Sequence, residues 1–212
     1  MKILILGASG ATGQHLVQQA LEQKHQVTAF VRDLTKLNAS HPQLTLVQGN
    51  VSDLATVQRA IVGQEAVVSA LGANRMFQFD QVLVDGMANV IKAMESNDVR
   101  RIIYLSTLGL PESRKEAGFM IRNLAPILLR TEFKGHELRE KMIRKSNLEW
   151  QIVRAPILTN GPLTKKYQSG ENLKSNQFVT SLSRADTADF MLSQLTDFRY
   201  LRKPVRLMPA LK

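Results

Sequence analysis

The sequence predicts an α/β protein built as a doubly wound parallel sheet, and three observations carry that prediction. Short runs rich in Val, Ile and Leu recur through the first half of the 212-residue chain, and segments with helical spacing separate them. The runs are nearly continuous in apolar residues rather than alternating, as strands covered on both faces require. Parallel strands also need a crossover, which a helix supplies.

The first strand is expected at Lys2 to Leu6, followed by a helix over Thr12 to Lys24. Gln26 to Val31, Leu44 to Val47, Ala66 to Ala70 and Arg101 to Leu105 read as the next strands, with helices over Asp53 to Ile61 and Val82 to Ser96. After Leu105 the pattern loosens. Pro111 to Gly118 is a polar loop, and FMIRNLAPILL, beginning at Phe119, is an apolar patch broken by Arg122 and Pro126. Glu132 to Ser146 is a charged helix, Trp150 to Val153 a sixth strand, and Pro156 to Asn172 a turn-rich stretch. Ser183 suits the N-cap of a helix through ADTADFMLSQL, and Val205 to Met208 is a last short strand. No repeat, low-complexity tract or linker interrupts the chain. Residues 1–212 therefore read as a single domain, with 107–212 contributing the substrate side.

Composition narrows the setting. There is no cysteine, so thiol nucleophiles and thiolate metal ligands are excluded and no oxidising compartment is needed. No run of eighteen apolar residues could span a bilayer, and Ile3 to Leu6 is too short for a signal-peptide core. A cytoplasmic protein with no membrane partner is the expectation. His15, His25 and His41 lack ligand spacing, so no metal is expected. The net charge of +10 is lopsided: residues 1–106 hold nine Lys and Arg against eight Asp and Glu, whereas residues 107–212 hold nineteen against ten. The basic residues of the second half alternate with apolar and acidic ones. That pattern suits solvated helix faces better than a nucleic-acid site.

The motif that carries chemistry is GASGATG, directly after the first strand. Gly7 permits a sharp turn, Gly10 leaves backbone N–H groups open to a diphosphate, and Gly13 allows close helix–sheet packing. An anion there sits on the helix N-terminus, where unpaired N–H groups and the helix dipole favour it. No Gly-Lys-Ser/Thr follows, which excludes a P-loop. Where the second strand ends, NAD-specific proteins carry an acidic residue for the ribose; here Arg32 comes first and Asp33 after it. A guanidinium matches a 2′-phosphate, pointing to NADP, while a plain surface charge is the alternative. Asp33 also reads as the cap of a short helix beginning DLTKL.

GASGATG, FVRD, QGNVSD, SALGA, YLSTLG, RKSNLEWQIVRAPILTNGPLT and SRADTADFML occur in order along almost the whole chain. Taken together they resemble an atypical short-chain dehydrogenase/reductase of the NmrA-like NAD(P)H-binding group, similar to flavin reductase/biliverdin-IXβ reductase, with a Rossmann-like fold. The resemblance implies that Ser9, Ala11 and Thr12 contact the diphosphate, Arg32 the 2′-phosphate, and Asn50 with Val51 the adenine. It places Leu71, Gly72 and Ala73 under the ribose and nicotinamide, and Ser106 facing the reacting ring. Asn50 departs from the aspartate common in the group.

The Tyr-x-x-x-Lys dyad of the wider superfamily is absent, and Glu132 and His136 fall at the corresponding positions. Their i, i+4 spacing sets them on one helix face. His136 reads either as a proton donor or as an ordinary helical residue, and Ser106 either as a ligand of the ring or as a strand-end cap. Phe119, Met120, Leu124, Ile127 and Leu128 suit a flap over the substrate, core packing or a dimer contact, the last consistent with a monomer or homodimer. The leading expectation is an NADPH-dependent oxidoreductase passing hydride to a small planar acceptor, a flavin or quinone-like ring. The alternative is a non-catalytic NADP-binding, redox-sensing regulator of the NmrA type.

Overall fold

The computed structural model describes residues 1–72, 79–115 and 117–210. Strands β1 (Lys2–Leu6), β2 (Gln26–Val31), β3 (Leu44–Gln48), β4 (Ala66–Ser69), β5 (Arg101–Thr107) and β6 (Glu149–Ala155) fall where the apolar runs predict them. With β10 (Pro204–Pro209) and β8 (Tyr167–Gly170) they form an eight-stranded sheet of order β3-β2-β1-β4-β5-β6-β10-β8. All pairings in it are parallel except β10 with β8.

Side-chain alternation along β1 divides the core in two. Ile3 and Ile5 face α1 (Ala11–Glu22) and α7 (Arg184–Ser193), packing with Leu16, Val17, Phe190 and Met191. Leu4 and Leu6 face the opposite layer of α2 (Leu54–Ile61), α3 (Gln81–Ser96) and α6 (Arg130–Lys145), packing with Val57, Met87, Val90 and Met94. The four aliphatic residues of β1 are fully buried. Each such burial contributes about 1.5–3 kcal/mol.

Helix ends follow their caps. Asp53 and Asp80 accept from the first-turn amides of α2 and α3, so Asp53 lies outside the helix it begins. Ser183 caps α7 by accepting from Asp186 N–H, as the sequence predicts. Two departures matter for the site. The apolar patch forms two short helices, α4 (Phe119–Asn123) and α5 (Ala125–Leu128), and the turn-rich stretch contains β7 (Ile157–Thr159) and β8. β7 pairs with β9 (Ser181–Ser183) in a separate two-stranded sheet. Neither β7 nor β8 contains a fully buried residue, so the strong apolar signature is missing from both. The strand order reverses between β1 and β4. That switch point opens a crevice at the carboxyl ends of the strands.

Candidate functional site

The β1–α1 turn is shaped by glycine at two positions. Gly7 has φ +77°, and a Cβ there would lie 2.7 Å from the carbonyl oxygen of Ala70. A Cβ on Gly13 would lie 2.0 Å from the Gly7 carbonyl, so nothing larger lets α1 approach this turn. Gly10 is the N-cap of α1 with φ −75°, a conformation open to any residue, and no side chain caps the helix. The first N–H groups of α1 therefore meet the crevice without a side-chain acceptor.

Two clefts share Gly10, Ala70, Leu71 and Gly72 and so form one trough. The first, of about 340 Å³, includes Gly7, Ser9, Arg32, Lys36, Asn50 and Val51. The second, of about 420 Å³, includes Ala11, Thr12, Ser106, Phe133, His136 and Arg184. A larger hollow of about 600 Å³ between α1 and residues 35–41 lies off the strand ends. It lacks the convergence of loops that makes the trough a candidate site. The predicted cofactor residues that border the trough are Gly7, Ser9, Gly10, Ala11, Thr12, Arg32, Asn50, Val51, Leu71, Gly72 and Ser106, while Gly13 acts by packing. Ala73 lies outside the described residues.

The chemistry of the first cleft is cationic. Asp33 accepts from both the amide and the hydroxyl of Thr35. These hydrogen bonds lower its carboxyl pKa and tie it to a 3-10 turn, as the DLTKL reading anticipated. Arg32 and Lys36 are exposed and, among the described residues, have no ion-pair partner. Lys36 was not singled out from the sequence, although its place one turn after Arg32 is visible there. The Asn50 side-chain oxygen accepts from Ser52 N–H, and among the described residues its NH₂ has no hydrogen-bond acceptor. Asn89 on α3 donates to the carbonyls of Val51 and Ser52 and pins this loop.

The second cleft has a charged floor made by one face of α6. Glu132, His136, Arg139 and Glu140 follow at helical spacing. The His136 Nδ1 is 2.8 Å from the Tyr104 hydroxyl, and its Nε2 is 3.2 Å from Glu132 Oε1. Burial raises the Tyr104 pKa far above the phenol range and lowers that of His136. The tautomer that satisfies both contacts is neutral: Tyr104 O–H donates to Nδ1, and Nε2–H donates to Glu132. His136 is therefore on the cleft wall with both nitrogens engaged. Ser106 is also on the wall, but its hydroxyl donates inward to Glu140 at 2.6 Å.

Arg139, 1% exposed, joins this floor to the trough by donating to the carbonyl of Leu71 at 3.1 Å and to that of Gly135 at 3.1 Å. Glu140 receives Arg154 through both Nε and Nη2, at 3.1 and 2.7 Å. Glu112 bridges Arg144 and Arg154, whose hydrogen bonds, Arg144 first, hold its carboxyl at about 2. A charged residue inside the core strand β6 needs such partners, and Arg154 in the sequence is the signal from which this network could have been sought.

A mostly parallel sheet with a helix N-terminus at its switch point, a glycine turn that admits no Cβ and cations beyond it that have no ion-pair partner among the described residues define a nucleotide-binding protein with a Rossmann-like fold. The chain belongs to the NAD(P)H-binding family, whose model matches residues 7–198. A short-chain dehydrogenase/reductase of Veillonella parvula, solved in complex with NADP, is 24% identical with a TM-score of 0.83, covering 97% of this chain and 93% of that one. ChuY of Escherichia coli O157:H7, an anaerobillin reductase, is 22% identical with a TM-score of 0.80 and covers 100% and 99%. Both likenesses are of fold. The photosystem II assembly factor Ycf39 of Synechocystis is 27% identical over 206 residues, 90% of this chain, and this chain spans 57% of Ycf39's length.

Proposed function

We propose that this chain is an NADPH-dependent reductase of the atypical short-chain dehydrogenase/reductase type, acting in the cytoplasm on a small planar acceptor such as a flavin or quinone. The observation that carries the reading is the trough itself, which runs from the cations Arg32 and Lys36 past the uncapped start of α1 into the cleft floored by α6. Gly7, Ser9, Gly10, Ala11, Thr12 and Gly13 form the seat for a diphosphate. Arg32 and Lys36 select the 2′-phosphate, and Asn50 and Val51 hold the adenine. Leu71, Gly72 and Ala73 carry the ribose and nicotinamide, which when bound supplies the hydride.

The walls of the second cleft favour a flat, apolar acceptor. Leu129, Phe133, Pro156 and Leu158 line it and exclude water from a stacked ring. Ser106 and His136 orient rather than protonate: the Ser106 hydroxyl retains lone pairs toward the cleft while donating to Glu140, and His136 stays neutral between Tyr104 and Glu132. A flavin or quinone can take its proton from solvent, so alignment of the two rings is the contribution required of the protein.

The regulatory reading draws support from the same locked donors, because a sensor binds NADP without needing a proton relay. Oxidation of NADPH with FMN, FAD, simple quinones and biliverdin separates the two. Turnover above a Gly10→Asp control supports the reductase. Tight NADPH binding without turnover of any acceptor supports the sensor.

A further inference from the structure

Beside the second cleft the surface becomes apolar in a way the nucleotide site does not explain. Ile127 is 75% exposed, Phe178 64% and Leu128 59%, and Phe119, Leu124 and Val179 are also exposed. They form one patch. The loop before β9 is held against α4 by hydrogen bonds from Phe119 N–H to Gln177 O and from Met120 N–H to Phe178 O. The rings of Phe119 and Phe178 stack with centroids 5.2 Å apart. Leu124 and Leu128 are four residues apart across the start of α5, and the next residue, Leu129, already lines the cleft.

Among the described residues the surrounding charge is mostly positive, the exposed Glu137 being the acidic exception. Arg114, Lys115, Arg122, Arg130 and Lys134 are all exposed. Among the described residues none of them has an ion-pair partner. Arg114, Arg130 and Lys134, outnumbering the one acidic residue Glu137, line one hollow with Pro126 of α5, which places a net positive charge directly against the apolar helix. Exposed apolar side chains beside unpaired cations are the composition of surfaces that lie in a lipid headgroup layer, the apolar groups entering the acyl boundary and the cations meeting anionic heads.

From this juxtaposition we propose that the α4–α5 face, with Phe178 and Val179, docks on an anionic bilayer surface. No described helix is long and apolar enough to cross a membrane, so the contact is peripheral. The expectation of no membrane partner rested on the lack of a spanning run, which a peripheral contact does not need. A second copy of the chain fits the face poorly, since a two-fold contact sets the same cations against themselves. A protein partner needs a surface shaped to it, whereas side chains that protrude singly from a short helix enter lipid without shape complementarity. Docking here turns the cleft wall at Leu129 toward the membrane. The inference stands on the patch and its charges and does not depend on the redox reading.

The test is co-sedimentation of the full chain with phosphatidylcholine vesicles prepared with and without phosphatidylglycerol. Binding is expected to the phosphatidylglycerol vesicles and to be much weaker without them. Arg130→Gln and Lys134→Gln should each weaken it about fivefold. The Ile127→Asn/Leu128→Asn double variant, which changes no charge, should weaken it by about tenfold or more, with an unchanged thermal melt showing that the fold is intact. Equal binding of wild type and the double asparagine variant would mean adsorption by charge alone and would overturn the proposal. So would absence of binding to either vesicle, or a dimer in sedimentation velocity that these substitutions dissolve.

Discussion

Replacing Arg32 by Ala should separate the two nicotinamide cofactors. Arg32 and Lys36 border the same cleft as exposed cations, while the neighbouring Asp33 is tied to Thr35. A charge-assisted contact to phosphate is worth about 2 kcal/mol, so the variant should bind NADPH about 30-fold more weakly at 25 °C. Lys36 remains as a second, exposed cation, and Lys36→Ala alone should cost about fivefold or less. NADH lacks the 2′-phosphate and should change by no more than about twofold. Because both cations are exposed, the advantage of NADPH over NADH should also shrink as salt is added. Isothermal titration calorimetry of both variants with both cofactors measures all of this. Equal weakening of NADH and NADPH by Arg32→Ala would refute the 2′-phosphate role.

Two further substitutions test the turn and the floor. Gly13→Ala places a methyl 2.0 Å from a backbone carbonyl that cannot rotate away, so it should cost about 3 kcal/mol and lower Tm by roughly 6–12 °C, outweighing the gain in helix propensity. Gly10→Ala, whose Cβ would sit 3.2 Å from the Gly7 carbonyl, should leave Tm nearly unchanged and still weaken NADPH binding, as thermal melts and titrations together would show. His136→Gln addresses pH. Burial lowers the His136 pKa from 6.5, so below that pH the unfolded chain takes up a proton that the folded chain refuses, and stability falls as pH drops. The slope reaches about 1.4 kcal/mol per pH unit for one such group. His25, lowered chiefly by burial as well, acts in the same direction, so denaturant titrations of His136→Gln should show a reduced slope rather than none.

The parts of the fold legible in sequence were those with a strong physical signature. Buried parallel strands read as unbroken apolar runs, and caps such as Asp53 and Ser183 mark helix starts within a residue. β7 and β8 were hidden because a short, half-exposed strand has neither signature. The nucleotide trough was legible because its backbone demands glycine, and Gly7 and Gly13 prove to be positions where a Cβ meets a carbonyl. The floor of the second cleft was only half visible. Glu132, His136 and Glu140 share one helix face by spacing, but Tyr104 and Arg154 come from β5 and β6, and contacts between elements carry no local pattern. For the same reason the inward bond of Ser106 to Glu140 could not be anticipated from a serine at a strand end.

The Glu140–Arg154 pair has a consequence for how such a protein can diversify. Both side chains are 4% exposed, and losing either would leave Arg154 with only the half-exposed Glu112, or Glu140 with only Arg144 at 3.4 Å and Ser106, at a cost of up to about 3–5 kcal/mol from a total stability of roughly 5–15. The helix that walls the second cleft is thus anchored to β6 from behind and nearly closed to substitution there. Among the described residues, the facing wall at Leu129, Pro156 and Leu158 carries no such ionic anchor. Relatives whose cleft differs in shape should record the change on that side, above an ionic foundation inherited intact.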